Sequence, residues 1–509
     1  MPTLRPLFIW LLLVASLLPL LGGCHRSDDQ AAPSATVATP PAKPVVRGCK
    51  GCHPMTLDAA HSFSCATCHG GDETASDGKA AHAGLIPHPA HPDRMQTTCG
   101  RCHGRQTSEA AQSRHFTLAG EINSVRRAFG ATTDLKSPLE IPVTEPPTTP
   151  LALADDLLRR RCLRCHPYHP GDPYPETRHG TGCAACHLDF GNGVLTSHAF
   201  VRSPGDGQCL HCHSGNRVGA DYYGRFQRDF AWEFRTPYRT DNAQRRPYGV
   251  EDHQLRPDVH HLAGIGCIDC HPGARLMGGG HASPTPPLTC GGCHAWRPGQ
   301  PPPAANLIVD GKRLLLVTKR DQRQLVVPAM QDPAHRAFGA KATCVACHAQ
   351  WSFNDRATHL LRQDSDDYEP WSLLTVQGSH EVELQLENNL AGEGDDSDPS
   401  MVDKFSGARR PGLWLKGFEL RRWEEIPLCR DNDGRLTVCR PSLDLHLSYV
   451  NDQGEVLFDA VAPTPSTRTL RPYTPHTIGK AGAHYRQRLK GTATLSPLQP
   501  TKATEKKTP

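Results

Sequence analysis

The motif Cys-x-x-Cys-His occurs nine times in this sequence and supplies most of the side chains that could do chemistry. Each copy places two thiols three positions apart and an imidazole directly after the second thiol. The nine copies use 18 of the 21 cysteines in a chain of 509 residues. Numbered one to nine along the chain, their cysteine pairs are Cys49 and Cys52, Cys65 and Cys68, Cys99 and Cys102, Cys162 and Cys165, Cys183 and Cys186, Cys209 and Cys212, Cys267 and Cys270, Cys290 and Cys293, and Cys344 and Cys347.

This spacing suits covalent attachment of haem. Two thiols add across the vinyl groups of the porphyrin, and the adjacent imidazole supplies the proximal iron ligand. A redox Cys-x-x-Cys and half of a zinc site are the alternatives, but neither needs a histidine directly after the second cysteine. Because only 29 of the 509 residues are histidine, its presence after all nine pairs is not accidental. We therefore expect nine covalently attached haem c groups with the proximal ligands His53, His69, His103, His166, His187, His213, His271, His294 and His348.

Through these motifs the chain resembles the multihaem c-type cytochromes, and among them the haem-dense electron carriers of metal-respiring bacteria. The resemblance is to a nonahaem lipoprotein type and covers residues 48–360, about 60% of the chain. It includes segments such as Asp258-Val259-His260 ahead of Cys267. It implies a mostly irregular and α-helical, haem-packed cytochrome domain over residues 48–362, with short helices that carry the motifs.

The second axial face of each iron needs a further ligand, and histidine is the best candidate. Fifteen histidines besides the proximal nine lie between residues 48 and 360, whereas four methionines compete there. We therefore expect bis-histidine ligation, which favours a lower potential than histidine–methionine ligation. Weaker candidates are His82, His169, His211, His253 and His261. The main distal candidates, of which His88 and His91 compete for one site, are His61, His88, His91, His115, His179, His198, His260, His281, His335 and His359.

The intervals between motifs predict how the haems are grouped. Motif starts are separated by 16, 34, 63, 21, 26, 58, 23 and 54 residues. The short intervals should bring irons close together, as pairs or triplets. One long interval contains the Pro- and Thr-rich run 137–150, for which we expect a surface excursion.

The N-terminus predicts export and a lipid anchor. Residues 7–21 form a 15-residue apolar run after Arg5, which at ~1.5 Å per residue is shorter than the ~30 Å core of a bilayer. It is typical of a signal peptide, residues 1–23. Leu21-Gly22-Gly23-Cys24 resembles a lipobox, although an ordinary cleavage site with an incidental cysteine is the alternative. We expect lipidation at Cys24, a flexible tether over 24–47, and a position at the periplasmic or outer-surface face of the cell envelope.

The pattern changes beyond residue 362. Residues 363–485 predict a small antiparallel β-domain, with strands in 372–386, 413–420, 443–450 and 455–461. Residues 306–328 also predict strands, which could pair with this domain. Cys429 and Cys439 flank Asp433-Gly434 and resemble a disulfide-clipped hairpin. The polar tail 486–509 is expected to be disordered.

These features favour an electron carrier. A near balance of 56 basic and 52 acidic residues argues against a nucleic-acid partner. The leading hypothesis is conduction through closely packed bis-histidine haems between redox partners. These would be other cytochromes or quinol-linked donors, and an outer-membrane barrel or an extracellular acceptor. The alternative is a multihaem reductase of a nitrogen or sulfur oxyanion, which needs an open haem site. A third hypothesis, compatible with the first, makes the β-domain a binding module for a porin-like partner protein, a mineral or a polysaccharide.

Overall fold

The computed structural model describes residues 48–213, 219–227, 252–279, 288–352, 355–356, 358–371, 377–390, 398–417, 420–421, 426–441, 443–464, 470–481 and 488–489. The predicted signal peptide (1–23), the tether (24–47) and almost all of the predicted tail (486–509) lie outside these residues. The described residues belong to one compact unit that begins at Arg47. Within them, no helix has both the length and the apolar character needed to cross a membrane.

The helices of the region that carries the motifs are short, and the longest described one has 12 residues. Their brevity fits a sequence with 45 glycines and 46 prolines. Short 3-10 turns cover Ala59–His61, Pro138–Glu140, Cys162–Arg164 and Glu369–Trp371. The α-helices are Cys49–Cys52, Ala66–His69, Gly78–Ala81, Gly100–Ala111, Arg114–Thr117, Ala119–Ala128, Pro150–Arg160, Ala184–His187, Asp206–His213, Gly219–Tyr222, Val259–Leu262, Cys267–Cys270, Gly273–Leu276, Cys290–His294, Pro333–Phe338, Cys344–His348 and His380–Leu390.

The strands are also short and form small sheets. The largest sheet has four strands. Their order across the sheet is Leu413–Lys416, Thr358–Gln363, Leu445–Val450 and Val456–Val461. Leu445–Val450 runs parallel to Thr358–Gln363, so this sheet is mixed rather than wholly antiparallel. The other described strands are Phe190–Gly191, Val194–Leu195, Arg225–Gln227, Asp252–Gln254, Leu307–Asp310, Arg313–Val317, Gln324–Val326, Asp355–Arg356, Ser400–Val402, Arg409–Pro411, Leu420–Arg421, Leu428–Arg430, Leu436–Pro441 and Leu470–Pro472.

Two sequence expectations need correction. Within the predicted strand 372–386, residues from His380 onward belong to the helix His380–Leu390, and 372–376 lie outside the described residues. The strands in 306–328 form their own three-stranded sheet and do not join the four-stranded one. The run 137–150 lies mostly at the surface, as expected, although it buries Ile141 and its Glu145 ion-pairs with the buried Arg362.

The largest hydrophobic core joins the two predicted domains. The helix Pro150–Arg160 begins with Thr149, whose hydroxyl accepts the Ala152 N–H at 3.1 Å, and has proline at its first position. It buries Leu153 and Leu157 in one cluster with Trp414 and Leu447 of the four-stranded sheet. The predicted boundary at residue 362 falls inside a strand of that sheet. Residues from both predicted regions therefore share a core.

Candidate metal centres

Most motifs are built on one helical turn. In motif one the backbone N–H of His53 donates to the Cys49 carbonyl at 2.8 Å, and motifs two, three, five and seven make the same bond at 2.8–3.0 Å. Residues three and four apart lie on the same helix face. The two thiols and the imidazole of a motif therefore project to one side.

Seven motif histidines have a second imidazole from outside the motif, with ring centroids 5.9–6.3 Å apart. In motif four this ring is His169, only three residues after His166. In the other six motifs the facing ring comes from a separate segment of the chain. These six pairs are His53 with His82, His69 with His198, His103 with His61, His271 with His476, His294 with His260, and His348 with His335.

This separation fits two imidazoles on opposite sides of one metal ion. A nitrogen of the ring binds a metal ion at about 2.0–2.1 Å and lies about 1.1 Å from the ring centre, so the two centroids would be about 6 Å apart. The rings do not hydrogen-bond to each other at such a distance. The six pairs therefore have the spacing of axial ligand pairs.

Hydrogen bonds fix the tautomer of four motif histidines. The Nδ1–H of His69 donates to the Ile86 carbonyl at 3.0 Å, and the Nδ1–H of His187 to that of Val201 at 2.8 Å. His294 and His348 donate in the same way to the carbonyls of Pro328 and Gly479, each at 2.8 Å. A ring that donates from Nδ1 has its Nε2 lone pair free, as metal-binding histidines do.

Carboxylates orient two of the facing rings. Nδ1 of His61 lies 2.9 Å from the Asp58 carboxylate, and Nδ1 of His260 lies 2.8 Å from Asp258. In each case the aspartate also caps the turn that carries the histidine. A carboxylate behind a ligating imidazole holds the ring and raises its basicity.

Several buried imidazole nitrogens have no hydrogen-bond partner among the described residues. Buried polar atoms are nearly always paired in native proteins, so such a group calls for a missing ligand. Burial also lowers the pKa of the His69, His271 and His476 rings, which keeps them neutral, the form that binds metals. The unpaired atoms are Nε2 of His166 and His211 and Nδ1 of His198, His213, His335 and His476.

The structure brings four of the ten main distal candidates to a motif histidine. These are His61, His198, His260 and His335. Two weaker candidates also lie next to a motif ring, His82 beside His53 and His169 beside His166. His476 was missed because it lies beyond the region that the motifs occupy. Nothing in the sequence around His476 marks it as a ligand.

The remaining candidates lie elsewhere. Nε2 of His91 donates to the Tyr168 carbonyl at 3.3 Å, and Nε2 of His359 lies 2.9 Å from the Ser448 hydroxyl in the four-stranded sheet. His179 faces His211 at 6.2 Å instead of a motif histidine. His88 is exposed, His115 has Nδ1 3.4 Å from the Leu276 carbonyl, and His281 lies outside the described residues.

One glycine holds the loop that carries His88 and His91 against motif five. Gly182 has φ +55°, and a Cβ there would lie 1.6 Å from the Ala90 carbonyl oxygen. The next residue, Cys183, donates its N–H to that same oxygen at 3.2 Å. Only glycine allows this approach of two backbones, so motif five and the loop are fixed together.

Thiols of different motifs lie side by side. Sγ of Cys49 and Sγ of Cys65 lie within 4.8 Å of each other. Three further pairs of first cysteines lie close enough for one thiol to shift the pKa of the other, and they join motifs three and five, six and seven, and eight and nine. These pairs are Cys99 with Cys183, Cys209 with Cys267, and Cys290 with Cys344.

Second cysteines link the remaining motifs. Burial and the nearby Cys99 thiol raise the pKa of Cys68, and burial and the Cys293 thiol raise that of Cys270 to about 11. The helices of motifs five and six are in contact. Burial is the main cause that raises the pKa of Cys212 in motif six, and the nearby Cys165 thiol of motif four raises it further. In space the motifs therefore follow the order one, two, three, five, six, seven, eight, nine, and motif four adjoins motif six.

Motif four departs from the common geometry. Its cysteines lie on a 3-10 turn with Leu163 outside the helical region of φ and ψ. Nδ1 of the buried His166 accepts the Tyr168 N–H at 3.1 Å, the reverse of the bond that other motif histidines make. The ring stacks on Phe405 with centroids 4.4 Å apart. Its neighbours at ring-contact distance include His169, at 6.2 Å on the same loop.

One described cluster has the donors of a conventional metal site. Cys49, Cys65 and Glu73 bring their ligand atoms within 4.8 Å of one another. Structural zinc sites use four nitrogen or sulfur ligands in most cases. The cluster joins the first cysteines of motifs one and two, so zinc there would compete with thioether formation at both.

Comparison with known proteins adds no relative. A scan against protein-family models finds no match, and searches of curated proteins and of solved structures find none either. Function must therefore be argued from the residues and their geometry.

Proposed function

We propose that the protein is a lipid-anchored nonahaem c-type cytochrome that transfers electrons between redox partners at the cell envelope. The 18 motif cysteines would hold nine haems through thioether bonds, and the nine motif histidines would be their proximal ligands. Haem iron with two histidine ligands supplies one-electron chemistry at low potential. A substrate pocket is not required for this role.

The six facing imidazole pairs carry the proposal. A redox Cys-x-x-Cys or a zinc site would need no second histidine opposite the motif histidine. Here five different segments of the motif region and one segment beyond it each present a ring at the spacing of an axial pair. In all six pairs one ring ends a motif and the other comes from a separate segment, which supports haem over either alternative.

The arrangement of the motifs supports transfer over a long distance. Each motif has its cysteines next to those of at least one other motif, from motif one to motif nine. The chain thereby sets the order in which neighbouring cofactors would follow one another. The partners that we propose are other cytochromes or quinol-linked donors at one end, and an outer-membrane barrel or an extracellular acceptor at the other.

Intact mass and carbon monoxide binding test the proposal together. The mature protein should exceed its polypeptide and lipid by nine haems. After reduction, carbon monoxide should bind at most three haems per chain, because six motifs have a facing imidazole. Six or fewer covalent haems, or bound zinc in place of haem at motifs one and two, would contradict it.

The reductase alternative has one specific observation in its favour, namely the geometry of motif four. His166 is oriented unlike the other motif histidines, and the buried Lys404 and Asp172 side chains lie close to this loop. A stoichiometric carbon monoxide adduct, together with turnover of nitrite, hydroxylamine or tetrathionate, would favour the enzyme. Exchange with artificial electron donors and acceptors without turnover would favour the carrier.

A further inference from the structure

The segment 475–479 lies beyond the last motif and presents His476 to motif seven. The rings of His271 and His476 have centroids 6.3 Å apart and planes inclined by 25°. The centroid distance matches that of the five other facing pairs, whose second rings all come from residues 61–335. We infer that His476 is the distal iron ligand of the motif-seven haem. The inference rests on the proposed function and adds one specific residue to it.

The backbone directly after His476 is held in place by the motif region. The Ile478 N–H donates to the Asp258 carboxylate at 2.7 Å, and the Ile478 carbonyl accepts the Val259 N–H at 2.9 Å. The Thr477 carbonyl accepts the Gln350 N–H at 2.9 Å, and its hydroxyl donates to the Trp351 carbonyl at 2.5 Å. A ligand held in this way is positioned before any cofactor is attached.

The same segment also serves motif nine. The Gly479 carbonyl accepts Nδ1–H of His348 at 2.8 Å, and the Gly479 N–H donates to the His348 carbonyl at 2.9 Å. One short stretch of chain would therefore supply the distal ligand for motif seven and orient the proximal ligand of motif nine.

The surroundings of His476 suit a metal ligand. Its Nδ1 is buried and has no hydrogen-bond partner among the described residues. The ring lies edge to face against Tyr222, with centroids 6.4 Å apart. Because buried polar atoms are nearly always paired, this ring has the surroundings expected of a side chain that binds a further group.

His476→Ala in the full-length holoprotein tests the assignment. The variant should keep nine haems by intact mass and, once reduced, should bind one more equivalent of carbon monoxide than the wild type. Added imidazole should restore the low-spin ferric spectrum. His446→Ala is the matched control, because His446 lies on the four-stranded sheet beside Asp444 at 3.5 Å and should leave carbon monoxide uptake unchanged.

The outcomes separate this inference from the proposed function. A wild type without haem would overturn both. Nine haems with the same carbon monoxide uptake in His476→Ala and the control would overturn the inference alone. If the alanine variant does not mature, His476→Met decides, because a methionine ligand should raise the potential of one haem in a redox titration. An unchanged titration of that variant would overturn the assignment.

Discussion

His61 and His103 face each other with ring centroids 6.2 Å apart, although one lies between motifs one and two and the other ends motif three. Asp58 holds His61 through a 2.9 Å contact to Nδ1. The same carboxylate accepts the backbone N–H of Phe200 at 2.9 Å, which ties the loop after motif five to this pair. The site is therefore assembled from three separate stretches of chain.

Asp58→Asn should weaken the distal ligand at motif three. Loss of the carboxylate lowers the basicity of His61, and outer-shell partners of this kind are worth about 10–100-fold in metal affinity. In a redox titration one haem should therefore shift to higher potential, while the mass still shows nine haems. Asp72→Asn is the control, because Asp72 caps an exposed turn at Thr74. Equal titrations for both variants would contradict a role for Asp58 behind the ligand.

A buried ion-pair network joins the helix Pro150–Arg160 to the sheet region, and Asp156 is at its centre. Asp156 contacts Arg160 at 3.0 Å, Arg410 at 3.0 Å and Arg362 at 3.4 Å, and it accepts the Trp414 indole N–H at 2.8 Å. The Arg160 and Arg362 side chains are fully buried. Removing one partner of a buried pair leaves an uncompensated charge.

Asp156→Asn should therefore be strongly destabilising. We expect the free energy of unfolding to fall by about 3–5 kcal/mol, measured by denaturant unfolding of the holoprotein. Asp310→Asn is a suitable control, since its pair with Arg313 is exposed on both sides and should contribute ~0–1 kcal/mol. Similar losses for the two variants would show that the network does not stabilise the shared core.

The disulfide between Cys429 and Cys439 closes the hairpin of Leu428–Arg430 and Leu436–Pro441, with Cα atoms 5.8 Å apart. Replacing both cysteines with serine should lower the free energy of unfolding by about 2–3 kcal/mol, as expected for a loop of this length. The variant should keep nine haems, because neither cysteine belongs to a motif. A variant as stable as the oxidised wild type would contradict this prediction.

Cys24→Ala should release the protein from the membrane. A lipidated cysteine anchors by burying acyl chains, at about 0.8 kcal/mol per CH₂ group. Fractionation should find the native protein with the membranes and the variant, if exported and cleaved, in the soluble fraction with its haems intact. A native protein with an unmodified N-terminus in the soluble fraction would rule out the anchor.

The helix His380–Leu390 shows why a local pattern was misleading. Val382, Leu384 and Leu386 alternate with polar residues, which favours a strand. The structure buries Val382 and Leu386 and leaves Leu384 41% exposed, as a helical face requires. Glu383 can be buried at this position because its carboxylate accepts hydrogen bonds from the backbone N–H groups of Gln377 and Gly378, at 2.9 and 2.7 Å. Those contacts are tertiary, and the residue pattern does not contain them.

The sequence by itself determined the nine motifs, because each is a run of five residues, and in most of them these residues form one helical turn. It also predicted the strands near 445–450 and 456–461, whose connecting turn at Asn451 and Gly454 is local. Four of the six facing rings were among the main distal candidates that the sequence offered. Only the tertiary structure decided which imidazole faces which motif, because most of these rings come from segments remote in the chain. His476 faces His271 because hydrogen bonds to Asp258, Gln350 and His348 hold its segment there.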